Sequence, residues 1–153
     1  MKRLFNPEEN NLIQERINKL TPDSRALWGK MNVSQMLAHL QTPMLVAFGQ
    51  LKLKGGLMAF LFGKIAKKEM LNDKPFKKNM PTVKEFKFTG KNFPEKEFLK
   101  EKDILLFYVN RFITEGPDVI TNKKHPFFGE LTLEEWDTLQ WKHLDHHLRQ
   151  FGV

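Results

Sequence analysis

The sequence has 153 residues, of which 41% are hydrophobic, and this is enough to build one domain with a buried core. It contains no cysteine, which excludes a disulfide framework, a thiolate metal ligand and a cysteine nucleophile. The net charge of +7 favours an anionic partner, but no arginine-rich arm, zinc-finger spacing or RNA-binding aromatic motif accompanies it, so nucleic acid is not the partner we predict.

Nothing in the sequence predicts export or insertion into a membrane. Residues 1–11 turn polar at once and lack the apolar core of a signal peptide. The longest apolar run, residues 57–62, is far shorter than the ~20 residues that span a bilayer. We therefore expect a soluble protein of the cytoplasm, with no membrane partner.

Much of the basic charge lies in one lysine-rich stretch. Because no nucleic-acid motif accompanies it, we interpret this stretch as a solvated helix end and loop. Its charge would also attract a small anionic substrate, and added salt would weaken that attraction. The lysines are Lys64, Lys67, Lys68, Lys74, Lys77 and Lys78.

The first helix is predicted to start at Asn6. Asn6 is a favourable N-cap, and Pro7 suits the first helical position because it needs no backbone donor there. The stripe of Leu12, Ile13 and Ile17 has helical spacing. The Thr-Pro pair at residues 21–22 is predicted to end the helix.

A second helix is predicted from Asn32, where Gln35 completes a capping box. His39 lies within its wide apolar surface. Pro43, four residues later, removes the backbone donor that would bond the His39 carbonyl, so a kink is expected there.

The middle of the chain predicts two more helices joined by a long connection. Residues 57–71 form a short helical candidate, and residues 72–93 form the connection, in which residues 83–88 partly alternate as an extended piece would. Residues 94–115 have helical periodicity, and a loop carrying HPFFG at residues 125–129 leads into the last helix. Almost no strand signal is present, so we predict an all-α helix bundle that forms a single domain.

The last helix has the clearest start signal in the sequence. Thr132 can cap it, Glu135 completes a capping box, and Gly152 follows its last periodic residue. His143 and His147 lie at one flank of its apolar stripe. Since residues four apart are neighbours on a helix surface, these two imidazoles can reach the same metal ion.

A third ligand must come from elsewhere in the fold, and His39 is the candidate because it faces the core of another helix. Bundles build metal sites from inward residues of facing helices. His146 could replace either partner of the pair, but it lies on the polar side of the helix. His125 is either a turn residue or a contact for the substrate. The spacing alone leaves open both a metal site at His39, His143 and His147 and an ordinary set of boundary histidines.

Two motifs resemble the DinB/YfiT-like superfamily. WGKMNVSQMLAHL at residues 28–40 and HPFFGELTLEEWDTLQWKHLDHHLRQFGV at residues 125–153 match it in order, so the resemblance covers essentially the whole chain. The pattern H-x-x-H-H-x-x-Q at residues 143–150 is fairly specific. HPFFG is specific to an uncharacterised branch, a domain of unknown function.

The resemblance implies a four-helix bundle with up-down-down-up helix order, here with an extra short helix and a long connecting loop. It also implies a divalent metal ion, commonly nickel or zinc, whose three ligands map onto His39, His143 and His147. Some members are metal-dependent transferases that use low-molecular-weight thiols such as bacillithiol or mycothiol, and others have no known activity. Many members are homodimers, so a homodimer is expected.

The leading functional hypothesis is a metal-dependent enzyme of thiol S-transferase or hydrolase type. Three imidazoles leave a divalent ion with its full charge and an open position, where a water or an external thiol is more acidic. The catalytic residues are unknown, with His125 and His146 as candidates for a general base. Gln140 or Gln150 could orient a ligand or the bound water. The alternative is a non-catalytic binding module that uses the same bundle.

Overall fold

The computed structural model describes residues 1–53, 56–79 and 97–153. Within these ranges the chain forms five α-helices, one 3-10 turn and one two-stranded antiparallel hairpin. The helices are α1 (Pro7–Asn18), α2 (Val33–Ala47), α3 (Leu57–Met70), α4 (Glu97–Thr114) and α5 (Leu133–Gln150), the 3-10 turn is Gly116–Val119, and the strands are β1 (Lys124–His125) and β2 (Gly129–Glu130).

Side-chain caps fix the start of three helices, as predicted. Asn6 accepts a hydrogen bond from the Glu9 backbone at 3.1 Å. Reciprocal capping boxes join Asn32 with Gln35 and Thr132 with Glu135. Each box satisfies backbone N–H groups that have no partner inside the helix, so these starts are set by short-range sequence.

Several predicted boundaries shift. Helix α1 ends at Asn18, before residues 21–22, and α2 continues through Pro43. The predicted start of α4 at residue 94, and the extended piece at residues 83–88, lie outside the described residues. The HPFFG segment was predicted as a loop, and this is wrong in detail, because His125 pairs with Gly129 in a tight hairpin. Gly129 has a φ of 77°, a left-handed conformation that glycine adopts without strain.

Helices α1, α2, α4 and α5 enclose the core, which confirms the predicted all-α class with an additional helix. Helix α2 packs on α4 and α5, and α1 packs on the same two helices. Fully buried core side chains come from all four helices and include Ile13, Ile17, Met36, Leu37, Leu105, Val109, Leu144 and Leu148. The up-down-down-up order stays a prediction. In the described parts of the chain, no helix combines the length and apolar character needed to cross a membrane.

The acid at the edge of the α5 apolar stripe anchors the N-terminal segment. Asp137 is fully buried, and its carboxylate accepts hydrogen bonds from the backbone N–H groups of Leu4 at 2.6 Å and Phe5 at 3.3 Å. The amide of Asn10 donates to the carbonyl oxygens of Leu4 and Val109, both at 2.9 Å. Asp137 is therefore buried in this stripe because it supplies an acceptor to backbone N–H groups that would otherwise have none.

Helix α3 lies against the hairpin and is joined to α5 by side-chain contacts of lysines. Gly63 is essential to this approach, because a Cβ atom there would lie 2.3 Å from the carbonyl oxygen of Phe127. Lys142 on α5 donates to the carbonyl oxygens of Met70 and Asn72, both at 2.6 Å, and so satisfies acceptors at the end of α3. These contacts hold α3 beside the functional site described below.

The predicted solvated lysine stretch is largely confirmed. Lys64, Lys68, Lys74, Lys77 and Lys78 are exposed. Lys67 is the exception, since its ammonium forms an ion pair of 2.7 Å with Glu135 and ties α3 to the start of α5.

Candidate metal centre

Three histidines from two helices meet at one point of the structure. His39 on α2 and His143 and His147 on α5 each offer one ring nitrogen, and these nitrogens all lie within 4.8 Å of one another. The Nε2 atoms of His39 and His143 are 3.0 Å apart, although 104 residues separate them in the chain. The structure therefore brings together the three residues that the sequence nominated.

The cluster fits a divalent transition metal. Two nitrogens that share a tetrahedral zinc ion, each ~2.0–2.1 Å from it, lie roughly 3.3 Å apart. The 3.0 Å separation of His39 and His143 is close to that value, and His147 lies within reach. Imidazole donors suit zinc, nickel and copper better than calcium or magnesium, which prefer oxygen.

Burial keeps the α5 pair in the neutral form. The pKa of His143 is held well below its usual range, first by burial and then by the neighbouring imidazoles of His147 and His39. Burial lowers the pKa of His147 to about 3, helped by His39 and opposed by a hydrogen bond to Gln150. Since a metal ion binds the neutral imidazole, it has no proton to displace from these rings near neutral pH.

Gln150 orients His147 for ligation. The Gln150 amide nitrogen donates to the carbonyl oxygen of Trp28 at 2.5 Å, which leaves its oxygen 2.7 Å from Nδ1 of His147. Nδ1 must then carry the ring proton, so the lone pair for a metal ion is on Nε2. Gly29 permits this contact, because its φ is 82° and a Cβ atom there would lie 2.4 Å from the Gln150 nitrogen.

Of the two glutamines nominated from the sequence, Gln150 therefore contacts a ligand histidine. Gln140 lines the same cavity, but its amide donates to the carbonyl oxygen of Pro43 at 3.2 Å. The role of the Trp28 carbonyl was missed, since a backbone acceptor leaves no residue-type signal. Gly29, which follows Trp28, was the one feature of the sequence that could have indicated a close contact there.

Replacing Gln150 by alanine should weaken metal binding roughly 10- to 100-fold, because His147 loses the partner that fixes its tautomer and ring orientation. Competition against a chelating dye measures the affinity, and the stoichiometry should not change. Gln140→Ala is the matched control and should bind metal as the wild type does. Equal affinities in the two variants would show that Gln150 does not support the ligand.

The three histidines line a cavity of about 490 Å³ between α2, α3, α5 and the hairpin. Much of its remaining wall is apolar, with contributions from Met31, Pro43, Met70, Phe127 and Leu139. This volume is within the range of small-molecule sites, ~300–1,000 Å³. A ligand in the cavity would therefore contact the histidines directly.

His125 also lines the cavity, but it is poorly suited to act as a base through Nδ1. That atom accepts hydrogen bonds from the backbone N–H groups of Phe127 and Phe128, both at 3.1 Å. The ring proton must therefore be on Nε2. Burial lowers the pKa of His125 to about 3, so the ring stays neutral at physiological pH. This geometry favours a hydrogen-bond donor over a general base.

His146 lies beside the three-histidine cluster rather than in it. Its ring is 4.9 Å from that of His147, and it also contacts Trp28 and Phe76. Burial lowers its pKa, and a hydrogen bond to the backbone of Phe76 opposes that effect. His146 is half-buried in the cavity wall, whereas His125 is buried. Of the two, His146 is therefore the better candidate for a proton acceptor.

Comparison with known proteins assigns the chain to a family. A family model described as a protein of unknown function, DUF1569, matches residues 5–152. No curated protein and no solved structure matches the chain. The match covers nearly every residue, but the family has no assigned function, so the match does not identify a reaction.

Proposed function

We propose a function for this chain, which belongs to the DUF1569 family of proteins of unknown function. The protein is a metal-dependent enzyme of thiol S-transferase or hydrolase type. The observation that carries the proposal is the convergence of His39, His143 and His147 within 4.8 Å at the wall of a cavity. Catalytic sites of this kind keep a position for substrate or water beside three protein ligands.

A divalent ion held there would act as a Lewis acid and lower the pKa of a coordinated water or thiol. The residues of the chain supply the rest. Gln150 holds His147 in the ligating tautomer, and the ring proton of His125 lies on Nε2. His146 is our candidate for the group that accepts a proton. Because the chain has no cysteine, any thiol that reacts must come from outside.

The resemblance to the DinB/YfiT-like superfamily is part of this proposal. It is supported by the helical fold and by the three histidines in the expected positions. On that basis we propose nickel or zinc as the metal and a low-molecular-weight thiol as a cosubstrate. That the protein is a homodimer, and that it lies in the cytoplasm, stay predictions from the sequence.

Elemental analysis of protein purified without a histidine tag tests the proposal. We expect nickel or zinc at close to one ion per chain, or uptake to that level after the metal is added back. Cobalt substitution should then give the visible spectrum of a four- or five-coordinate site with nitrogen ligands. Protein that takes up no metal under these conditions would rule out the proposed enzyme and favour the binding module.

A further inference from the structure

We propose that the cavity beside the three histidines accepts a small molecule with an apolar body and one anionic head group, and that the head lies at the histidines. This inference rests on the proposed function, since a metal ion there would supply much of the attraction for the head. It specifies the substrate class, which neither the family nor the proposed reaction type does.

The apolar body follows from the walls. Met31 lies ahead of α2, Met70 ends α3, Phe76 follows it, Phe127 belongs to the hairpin, and Leu139 belongs to α5. Apolar side chains thus reach the cavity from several separate segments of the chain. A ligand that fills about 490 Å³ must cover much of this surface, and burying apolar area there favours binding.

The anionic head follows from charge. No aspartate or glutamate is among the described residues that line the cavity, whose polar side chains are histidines, Gln140, Gln150, Asn79 and Lys30. Histidines ligate as neutral groups, so a divalent ion keeps its full charge in these surroundings. Lys30 lines the same cavity, and the Lys78 ammonium lies 4.6 Å from the ring centroid of Trp28 in its wall. A negatively charged ligand group would balance this excess.

The same walls disfavour a body rich in hydroxyl groups. Hydroxyls placed against Met70, Phe127 or Leu139 would lose water without gaining a hydrogen-bond partner, which costs binding energy. Sugar-linked thiols such as those implied by the superfamily resemblance carry many hydroxyls. Among thiols, the cavity should therefore prefer an apolar one.

Titration calorimetry with three probes of similar size separates the two requirements. 3-Phenylpropanoate has the apolar body and the anionic head, 3-phenylpropanamide lacks the charge, and gluconate lacks the apolar body. On zinc-loaded protein we expect 3-phenylpropanoate to bind roughly tenfold or more tightly than either of the others. If gluconate binds as tightly as 3-phenylpropanoate, the cavity does not prefer an apolar body. If the amide binds as tightly, the cavity does not prefer an anionic head group.

A pair of phenylalanine variants locates the binding. Phe127→Ala should weaken 3-phenylpropanoate roughly tenfold and leave gluconate unchanged. Phe107→Ala is the matched control, because Phe107 is exposed on α4 and does not line the cavity. Phe127→Leu replaces the first variant if it does not fold. Equal effects of the changes at residues 127 and 107 would place the binding elsewhere.

Methyl NMR distinguishes failure of this inference from failure of the metal site. In metal-free protein the neutral amide should still shift the methyl signals of Met31 and Met70, which line the cavity, and not that of Met44 in the core. If zinc binds and these signals do not move, the substrate class is wrong and the metal site stands. If zinc does not bind and the signals move, the proposed function and the preference for an anionic head group are wrong. The preference of the cavity for an apolar body is then still supported.

Discussion

Replacing His143 by alanine is expected to abolish stoichiometric zinc binding. Apparent binding free energies of four-ligand structural zinc sites are about 10–16 kcal/mol, so each ligand contributes about 3 kcal/mol and its loss weakens binding roughly a hundredfold or more. His143 contacts both other members of the cluster, with its Nε2 atom 3.0 Å from that of His39 and its ring 4.8 Å from that of His147. Elemental analysis after dialysis against a weak chelator measures the loss.

His146→Ala is the matched control for this change. It removes a histidine three residues away on the same helix, also from the cavity wall, and should leave the bound zinc in place. Zinc retained in His143→Ala and lost in His146→Ala would mean that the ligand set is wrong. Thermal unfolding of both metal-free proteins shows whether either change damages the fold itself.

Replacing Asp137 by alanine should cost about 3 kcal/mol of unfolding free energy. The change leaves the buried N–H of Leu4 without its acceptor, at about 1–3 kcal/mol, and opens a small void in a packed region. Asp137→Asn keeps an acceptor oxygen at the same place and, at pH 4, where the folded wild type carries a proton on this side chain, should be close to the wild type. Urea denaturation of the three proteins measures the difference, and similar losses in both variants would show that the carboxylate charge is required.

The stability difference between the wild type and Asp137→Asn should also depend on pH. Burial raises the pKa of Asp137 to about 6, against the opposing effects of the Leu4 and Phe5 N–H groups and of Arg3. The unfolded chain then releases this proton near pH 4 and the folded chain near pH 6. The wild type should therefore lose stability relative to Asp137→Asn as the pH rises from about 4 to about 6, with no further change above that. A relative gain over the same range would mean that the hydrogen bonds outweigh burial.

Local signals in the sequence were sufficient to predict the starts of three helices. Asn6, Asn32 and Thr132 act on backbone groups within three residues, so their effect does not depend on the rest of the fold. The three candidate ligands could be nominated because helical spacing places His39 within an apolar face and places His143 and His147 together at the edge of another. That they approach within 4.8 Å depends on how α2 docks on α5, and no spacing rule gives this distance.

The supporting contacts could not be predicted, because their partners are distant backbone atoms. Gln150 bonds the carbonyl of Trp28, and Asp137 bonds the N–H of Leu4, more than a hundred residues away in each case. Backbone groups are the same at every residue, so neither partner is visible as a residue type. The pairing of His125 with Gly129 was missed for a related reason, since strands of two residues carry almost no periodicity.

The candidate ligands come from two helices that are far apart in the sequence, and this has a consequence for folding. An unfolded chain offers a metal ion only a flexible set of separated imidazoles, whereas the complete ligand set forms once α2 and α5 have docked. Metal binding at this site would thus be selective for the native state, and a free ion at a hundred times its dissociation constant would add about 2.7 kcal/mol to global stability. The melting temperature should consequently rise with metal concentration, and chelators should lower it only as far as that of the metal-free protein.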